Sequence, residues 1–202
     1  MSIRVLLADD QALVRGALAA LLRLEPDLEV VGEVGDGRAA VAAARSLQPD
    51  VVLMDVEMPV LDGLAATAQL TEQAPAVRVL VVTTFGRPGY LRRGLQAGAA
   101  GFVVKDTPAR ELADAVRRVH AGLRVLDPAL ASASLLAGDS PLTEREGEVL
   151  RAAEAGGTVA DIAKALHLSD GTVRNYLSSA IGKTNTRTRA EAARQARSYG
   201  WL

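Results

Sequence analysis

A repeated change of periodicity over the first 122 residues constrains this chain more than any other feature. Short, nearly continuous apolar runs alternate with stretches of helical spacing. Ile3–Ala8 runs into Asp9 and Asp10, and Ala12–Leu24 follows with helical spacing. Leu28–Val34, Asp50–Asp55, Val77–Thr83 and Gly101–Val104 repeat the strand pattern. Gly37–Leu47, Leu64–Ala74, Pro88–Ala97 and Pro108–Ala121 repeat the helical one. Val, Leu and Ile in unbroken runs belong to strands covered on both faces. β-then-α units of about 20–25 residues require right-handed crossovers, which predicts a five-stranded, doubly wound parallel α/β sheet. Ligands of such sheets bind beyond the carboxyl ends of the strands, near the switch in strand order.

Past residue 122 the pattern changes. Residues 123–139, with Asp127-Pro128 and Gly138-Asp139, read as a linker carrying a short helix. From Ser140 onward only helical patterns remain. Thr143-x-x-Glu146 fits a capping box opening a helix that stops at Gly156-Gly157. Thr158 opens Val159–Leu166, Ser169 opens a helix from about Gly171 to Lys183, and Arg189–Tyr199 follows. Two short helices joined through His167-Leu-Ser169 make a helix-turn-helix pattern. The expected organisation is an α/β domain over 1–122, a linker over 123–139 and an all-α domain over 140–202.

Composition removes several alternatives. The absence of cysteine excludes a disulfide scaffold and thiol chemistry. With only His120 and His167, neither a multi-histidine metal site nor a Ser-His-Asp hydrolase is expected. No window approaches 18 apolar residues free of charge, and the N-terminus runs into acid after one short apolar stretch. These features predict a cytoplasmic, soluble protein. Residues 171–202 carry six basic side chains and one acidic one, which fits a polyanionic partner or a solvated helix face equally well.

In a parallel sheet Asp9, Asp10 and Asp55 converge on one rim. Three carboxylates at that spacing repel unless a cation intervenes. An all-oxygen site suits Mg²⁺, a hard ion that also accepts phosphate oxygens. Thr83 brings a hydroxyl to the same rim and Lys105 an ammonium. A carboxylate nucleophile, a metal, a hydroxyl and an ammonium together support transfer of a phosphoryl group onto an aspartate.

These residues carry a family resemblance. Asp9-Asp10, Asp55 ahead of Val-Glu-Met-Pro59 and Gly63, Thr83, and Phe102 three residues before Lys105 resemble the flavodoxin-like receiver domain of two-component response regulators. Leu142-Thr-x-Arg-Glu146, Val149-Leu150, Ile162-Ala163, Leu166, Ser169 and Thr172-Val173 resemble the LuxR-type helix-turn-helix of the NarL/FixJ family. The run Thr83–Tyr90 and the Gly-Trp-Leu202 ending are similar to the desaturase-controlling, membrane-fluidity-responsive subgroup. The resemblance implies that Asp55 accepts the phosphoryl group from a sensor histidine kinase. It implies Asp10, Asp55 and the backbone carbonyl of Glu57 as Mg²⁺ ligands, with Asp9 acting through water. Thr83 and Lys105 would hold the acyl phosphate, and movement of Thr83 coupled to Phe102 would be the switch. Lys105-Asp106 stands where the family usually has Lys-Pro.

The helix after Ser169 is expected in the DNA major groove, with Arg174, Asn175 and Ser178 toward base edges. Thr172, Lys183 and Arg187 are better placed for phosphates. Ser178 replaces a basic residue of the family, Thr184 and Thr186 replace apolar ones, and Gly147 interrupts a helix. Leu13, Ala17, Ala20 and Leu24 form an apolar stripe apart from the core spacing of Val14, Leu18 and Leu21. That stripe fits a homodimer formed on phosphorylation through the first and fifth helices, or a stripe covered by a neighbouring helix.

Two rival functions use the same residues. An aspartyl-phosphate phosphatase or phosphotransferase would use Glu57, two residues after the nucleophile, as its general acid/base. The fused helix-turn-helix and the lack of a cap domain argue against it. A constitutive DNA binder with a degenerate receiver is opposed by the intact Asp10, Asp55, Thr83 and Lys105.

Overall fold

Side-chain parity along the strands divides the first part of the molecule into two cores. In the computed structural model, which describes residues 2–84, 88–136 and 140–202 (side chains 88, 133, 135 and 136 aside), the elements alternate from the N-terminus. They are β1 (Ile3–Ala8), α1 (Ala12–Leu22), β2 (Leu28–Val34), α2 (Gly37–Leu47), β3 (Val51–Asp55) and α3 (Gly63–Gln73). Then come β4 (Arg78–Thr83), α4 (Pro88–Gln96), β5 (Gly101–Val104), α5 (Ala109–His120), β6 (Val125–Leu126) and α6 (Pro128–Leu136). The strands are parallel in the order β2-β1-β3-β4-β5-β6. Leu6, Val52, Met54, Val81 and Phe102 face α2, α3 and α4, while Val5, Leu7, Leu53, Val82 and Val103 face α1 and α5. The period-two alternation of strand side chains produces this division. Because both faces are covered, neither parity had to be polar.

Among the described residues the sheet has six strands, not the five expected. β6 is too short to carry a periodicity, so nothing in its sequence announces it. Gly101 admits it: a β-carbon there would lie 2.7 Å from the Val125 carbonyl oxygen. The stretch read as a linker therefore begins as sheet, and α6 is the short helix expected in it. The chain passes from the first compact unit to the second between Ser132 and Ala133. On α1 the core face is Leu18, Ala19 and Leu22. Leu21, expected inside, is 41 % exposed. Every described peptide bond is trans, the one after Lys105 included.

The second unit is helical: α7 (Glu144–Glu154), α8 (Val159–Leu166), α9 (Asp170–Lys183) and α10 (Arg189–Tyr199). Thr143 and Glu146 form the expected capping box, and Thr158 with Asp161 forms a second. Ser169 caps α9 by accepting from the Thr172 N–H, and His167 ends α8 in the left-handed conformation (φ 55°). Val149, Leu150, Ile162, Val173, Leu177 and Ala192 fill the core. Thr184 is fully buried there, its hydroxyl donating to the Ala180 carbonyl at 2.8 Å. That bond removes the cost of a hydroxyl where an apolar side chain is usual.

Candidate functional site

The carboxyl ends of β1, β3, β4 and β5 bring five predicted residues together. Asp9 and Asp10 follow β1, Asp55 ends β3, Thr83 ends β4 and Lys105 follows β5. Asp9, Asp55 and Thr83 are buried, and Asp10 is exposed. Carboxylate oxygens of the three aspartates, one from each, lie within 4.8 Å of one another. The Lys105 ammonium is 2.7 Å from Asp9 Oδ2 and 3.1 Å from Asp55 Oδ2. Backbone groups fix the other oxygens: the Gln11 N–H donates to Asp9 Oδ1 and the Val56 N–H to Asp55 Oδ1, both at 2.8 Å. The Lys105 N–H donates to the Thr83 carbonyl at 2.8 Å, tying the tips of β4 and β5 together.

Local sequence explains how the phosphoacceptor candidate is held. A β-carbon at Gly63 would lie 1.8 Å from the Asp55 carbonyl oxygen, so only glycine lets α3 begin so close to β3. Asp62 caps that helix by accepting from the Ala65 N–H. In the intervening loop Val60 adopts φ 67° and is 70 % exposed, with the Leu61 N–H donating to the Pro59 carbonyl at 2.7 Å. A β-branched residue in that region is strained, and it is held by closure of the loop on both sides.

Burial raises the Asp55 carboxyl above its ordinary range, against the pull of the adjacent Lys105. For Lys105, burial favours the neutral amine, but Asp9 and Asp55 outweigh it and hold the ammonium above its ordinary value. Three carboxylates and one ammonium cannot neutralise one another, so the rim favours a hard divalent cation. The Glu57 carboxylate is engaged by Tyr90, whose hydroxyl donates to Oε1 at 2.6 Å. Phe102 is fully buried, its ring against Gly94 of α4.

In the second unit, Arg174, Asn175 and Ser178 share an exposed face of α9. Arg174 is only loosely paired with Asp170, at 3.9 Å. Thr172 is half-buried with its hydroxyl 2.8 Å from that of Ser169, and Arg187 is exposed. Lys183 has a structural partner that the sequence did not reveal: its ammonium is 2.8 Å from Glu146 Oε2. The Ser179 hydroxyl donates to Glu146 Oε1 and the Thr143 N–H to Oε2, both at 2.6 Å. Burial raises the Glu146 carboxyl, yet Lys183, Ser179 and Thr143 prevail and hold it down to about 2.

Sequence reasoning also missed Tyr90 and Arg15, the latter donating to the Asp9 carbonyl at 2.5 Å. Arg15 stands in no pattern that singles it out, and Tyr90 enters the sequence reading only as the end of the run Thr83–Tyr90, with no role of its own. Of the run Thr83–Tyr90, residues 85–87 lie outside the described residues.

Comparison with known proteins gives matches over both units. Residues 5–117 match the response regulator receiver domain, and residues 140–196 match the bacterial regulatory proteins of the luxR family. The chain is 44 % identical to the uncharacterized transcriptional regulatory protein YvfU of Bacillus subtilis (strain 168), covering 99 % of this chain and 100 % of that one. It is 41 % identical to the transcriptional regulatory protein DesR of the same organism, covering 99 % of each. Among solved structures, the RcsB response regulator–DNA complex superposes with a TM-score of 0.71 at 26 % identity, covering 98 % of this chain and 99 % of that one.

Proposed function

Because this chain belongs to the response regulators, with a receiver domain joined to a LuxR-type DNA-binding domain, we propose that phosphorylation of Asp55 controls its binding to DNA. The receiver is assigned to 1–122, the connecting segment to 123–139 and the DNA-binding domain to 140–202. Asp55 attacks the phosphohistidine of a sensor kinase: a P–O bond forms, the P–N bond breaks, and the leaving imidazole takes up a proton. Lys105 and Thr83 bind the transferred oxygens, with positioning and charge neutralisation as the main catalytic terms. Asp10, Asp55 and the Glu57 carbonyl would hold Mg²⁺ directly and Asp9 through water, and the ion would neutralise phosphoryl charge. Apart from this transfer and slow autodephosphorylation, no turnover is assigned to the chain.

The single observation behind this reading is the convergence of Asp9, Asp10 and Asp55 within 4.8 Å, with Lys105 bridging two of them. Arg174, Asn175 and Ser178 read base edges, while Thr172, Lys183 and Arg187 contact phosphates. The phosphorylated form dimerises with a second copy through α1 and α5, a reading supported by the exposure of Leu13 on α1 (87 %) and of Leu24 just past its C-terminal end (78 %). No helix of the described residues is long and apolar enough to cross a membrane, and the cytoplasm is the proposed site of action. Incubation with acetyl phosphate and Mg²⁺ should add the mass of one phosphoryl group, and Asp55→Ala should abolish the addition. Sustained hydrolysis of small phosphate esters would instead favour the enzyme reading.

A further inference from the structure

The sixth strand attaches the start of the connecting segment to one residue of the receiver, Phe102. Leu126 pairs with Phe102 in the parallel register, and the Asp127 N–H donates to the Phe102 carbonyl at 3.0 Å. Asp127 Oδ1 then accepts from the Ala129 and Leu130 N–H groups at 2.9 and 3.0 Å, which starts α6 at this point. Leu130, carried in by that first turn, is 4 % exposed and lies in the same apolar cluster as Phe102 and Leu91. The backbone of Phe102 thus anchors the segment, and its ring shares a core with the first buried residue of the helix leading to the second unit.

We propose that residues 125–130 form a latch on Phe102, with Asp127 and Leu130 as positioning residues that link phosphoryl binding at the rim to the docking of α6. The inference rests on the proposed phosphorylation of Asp55. A phosphoryl group held by both Thr83 and Lys105 would bridge the tips of β4 and β5, which one backbone bond already joins. Stiffening β5 along one edge steadies the strand to which β6 is hydrogen-bonded along the other. The coupling is reciprocal: whatever loosens the latch must weaken phosphoryl binding by the factor by which phosphoryl binding tightens the latch.

The test uses the full chain with beryllofluoride and Mg²⁺ as the phosphoryl mimic, read by hydrogen exchange and by calorimetric affinity. In the unmodified protein, saturating mimic should slow exchange at the Asp127 and Leu130 amides by about fivefold. Leu130→Ala should weaken mimic binding by about fivefold, the low end of ordinary coupling energies. Asp127→Ala, which removes only the helix cap and leaves the core intact, should act in the same direction. A merely structural Leu130 would alter exchange across 125–131 and leave the affinity unchanged, and that result overturns the latch. So does binding of the mimic with no change of exchange at these amides. Absence of phosphoryl addition to Asp55 overturns both this inference and the function it rests on, whereas addition with an unresponsive segment overturns the inference alone.

Discussion

The ring of Phe102 occupies the space a side chain at Gly94 would need: a β-carbon at position 94 would lie 2.0 Å from Phe102 Cζ and 2.8 Å from Cε2. A single hydrogen atom at residue 94 of α4 therefore sets where the proposed switch aromatic can rest.

Gly94→Ala should destabilise the first unit by about 1–2 kcal/mol, because overpacking outweighs the helix propensity that alanine adds. Combined with Phe102→Leu, the same substitution should cost much less than the sum of the two single changes. Urea denaturation of the four variants, followed by exchange of the β5 amides, measures the difference; additive costs would show that the ring and residue 94 do not interact.

The buried Glu146 predicts an acid-sensitive second unit. The folded carboxyl is held at about 2, against an ordinary value of 4.5. Below about pH 4.5 the unfolded chain binds a proton that the folded one refuses until near pH 2, so stability is fully present above that window and falls within it. Screening at the half-exposed Lys183 limits the loss to about 2 kcal/mol. Trp201, the sole tryptophan, packs on this core and reports its unfolding by fluorescence. Glu146→Gln should lower the midpoint at pH 7 and flatten the decline; an unchanged acid slope would remove Glu146 as its cause.

Gly147 lies within α7, and the nearest atoms to a β-carbon there would be Leu202 Cδ2 at 3.7 Å and Arg151 side-chain nitrogens at 3.8 Å. These are ordinary contacts, so Gly147→Ala should stabilise the second unit by about 0.5–1 kcal/mol. The Trp201-monitored midpoint should rise by a few degrees; a decrease would reveal a backbone constraint at 147.

Exposed Leu13 and Leu24 contribute little to the monomer. Leu13→Asp or Leu24→Asp should leave thermal stability within about 0.5 kcal/mol, yet prevent dimerisation of the phosphorylated protein in light scattering. A dimer of undiminished mass would exclude α1 from the interface.

The proposed base-reading residue Arg174 of α9 and the proposed phosphate contact Arg187, between α9 and α10, are distinguished by salt dependence. Arg174→Ala should cost about 1–3 kcal/mol on the preferred site and relax discrimination at one base pair. Arg187→Ala should weaken binding to all sequences alike and reduce the salt slope by about one contact. Fluorescence anisotropy titrations at two salt concentrations distinguish these outcomes.

Periodicity and punctuation carried far, because they are local. The strand and helix positions, the capping box at Thr143, and the convergence of Asp9, Asp55, Thr83 and Lys105 all follow from where apolar runs stop. Parallel strands must bring those stops to one edge. Leu21 was misassigned because a helix stripe read from spacing alone has no fixed rotation until its neighbours are known.

The sequence alone thus determined the alternating architecture, the acidic rim and the helical second unit, since each depends on short-range spacing. The tertiary structure decided what depends on approach between distant segments. β6 exists because Gly101 lets Val125 come close, Phe102 is buried because Gly94 leaves room, and Lys183 neutralises a carboxylate 37 residues away. No periodicity records such meetings, because each partner looks ordinary in its own stretch of chain and gains its role only when folding excludes water between them.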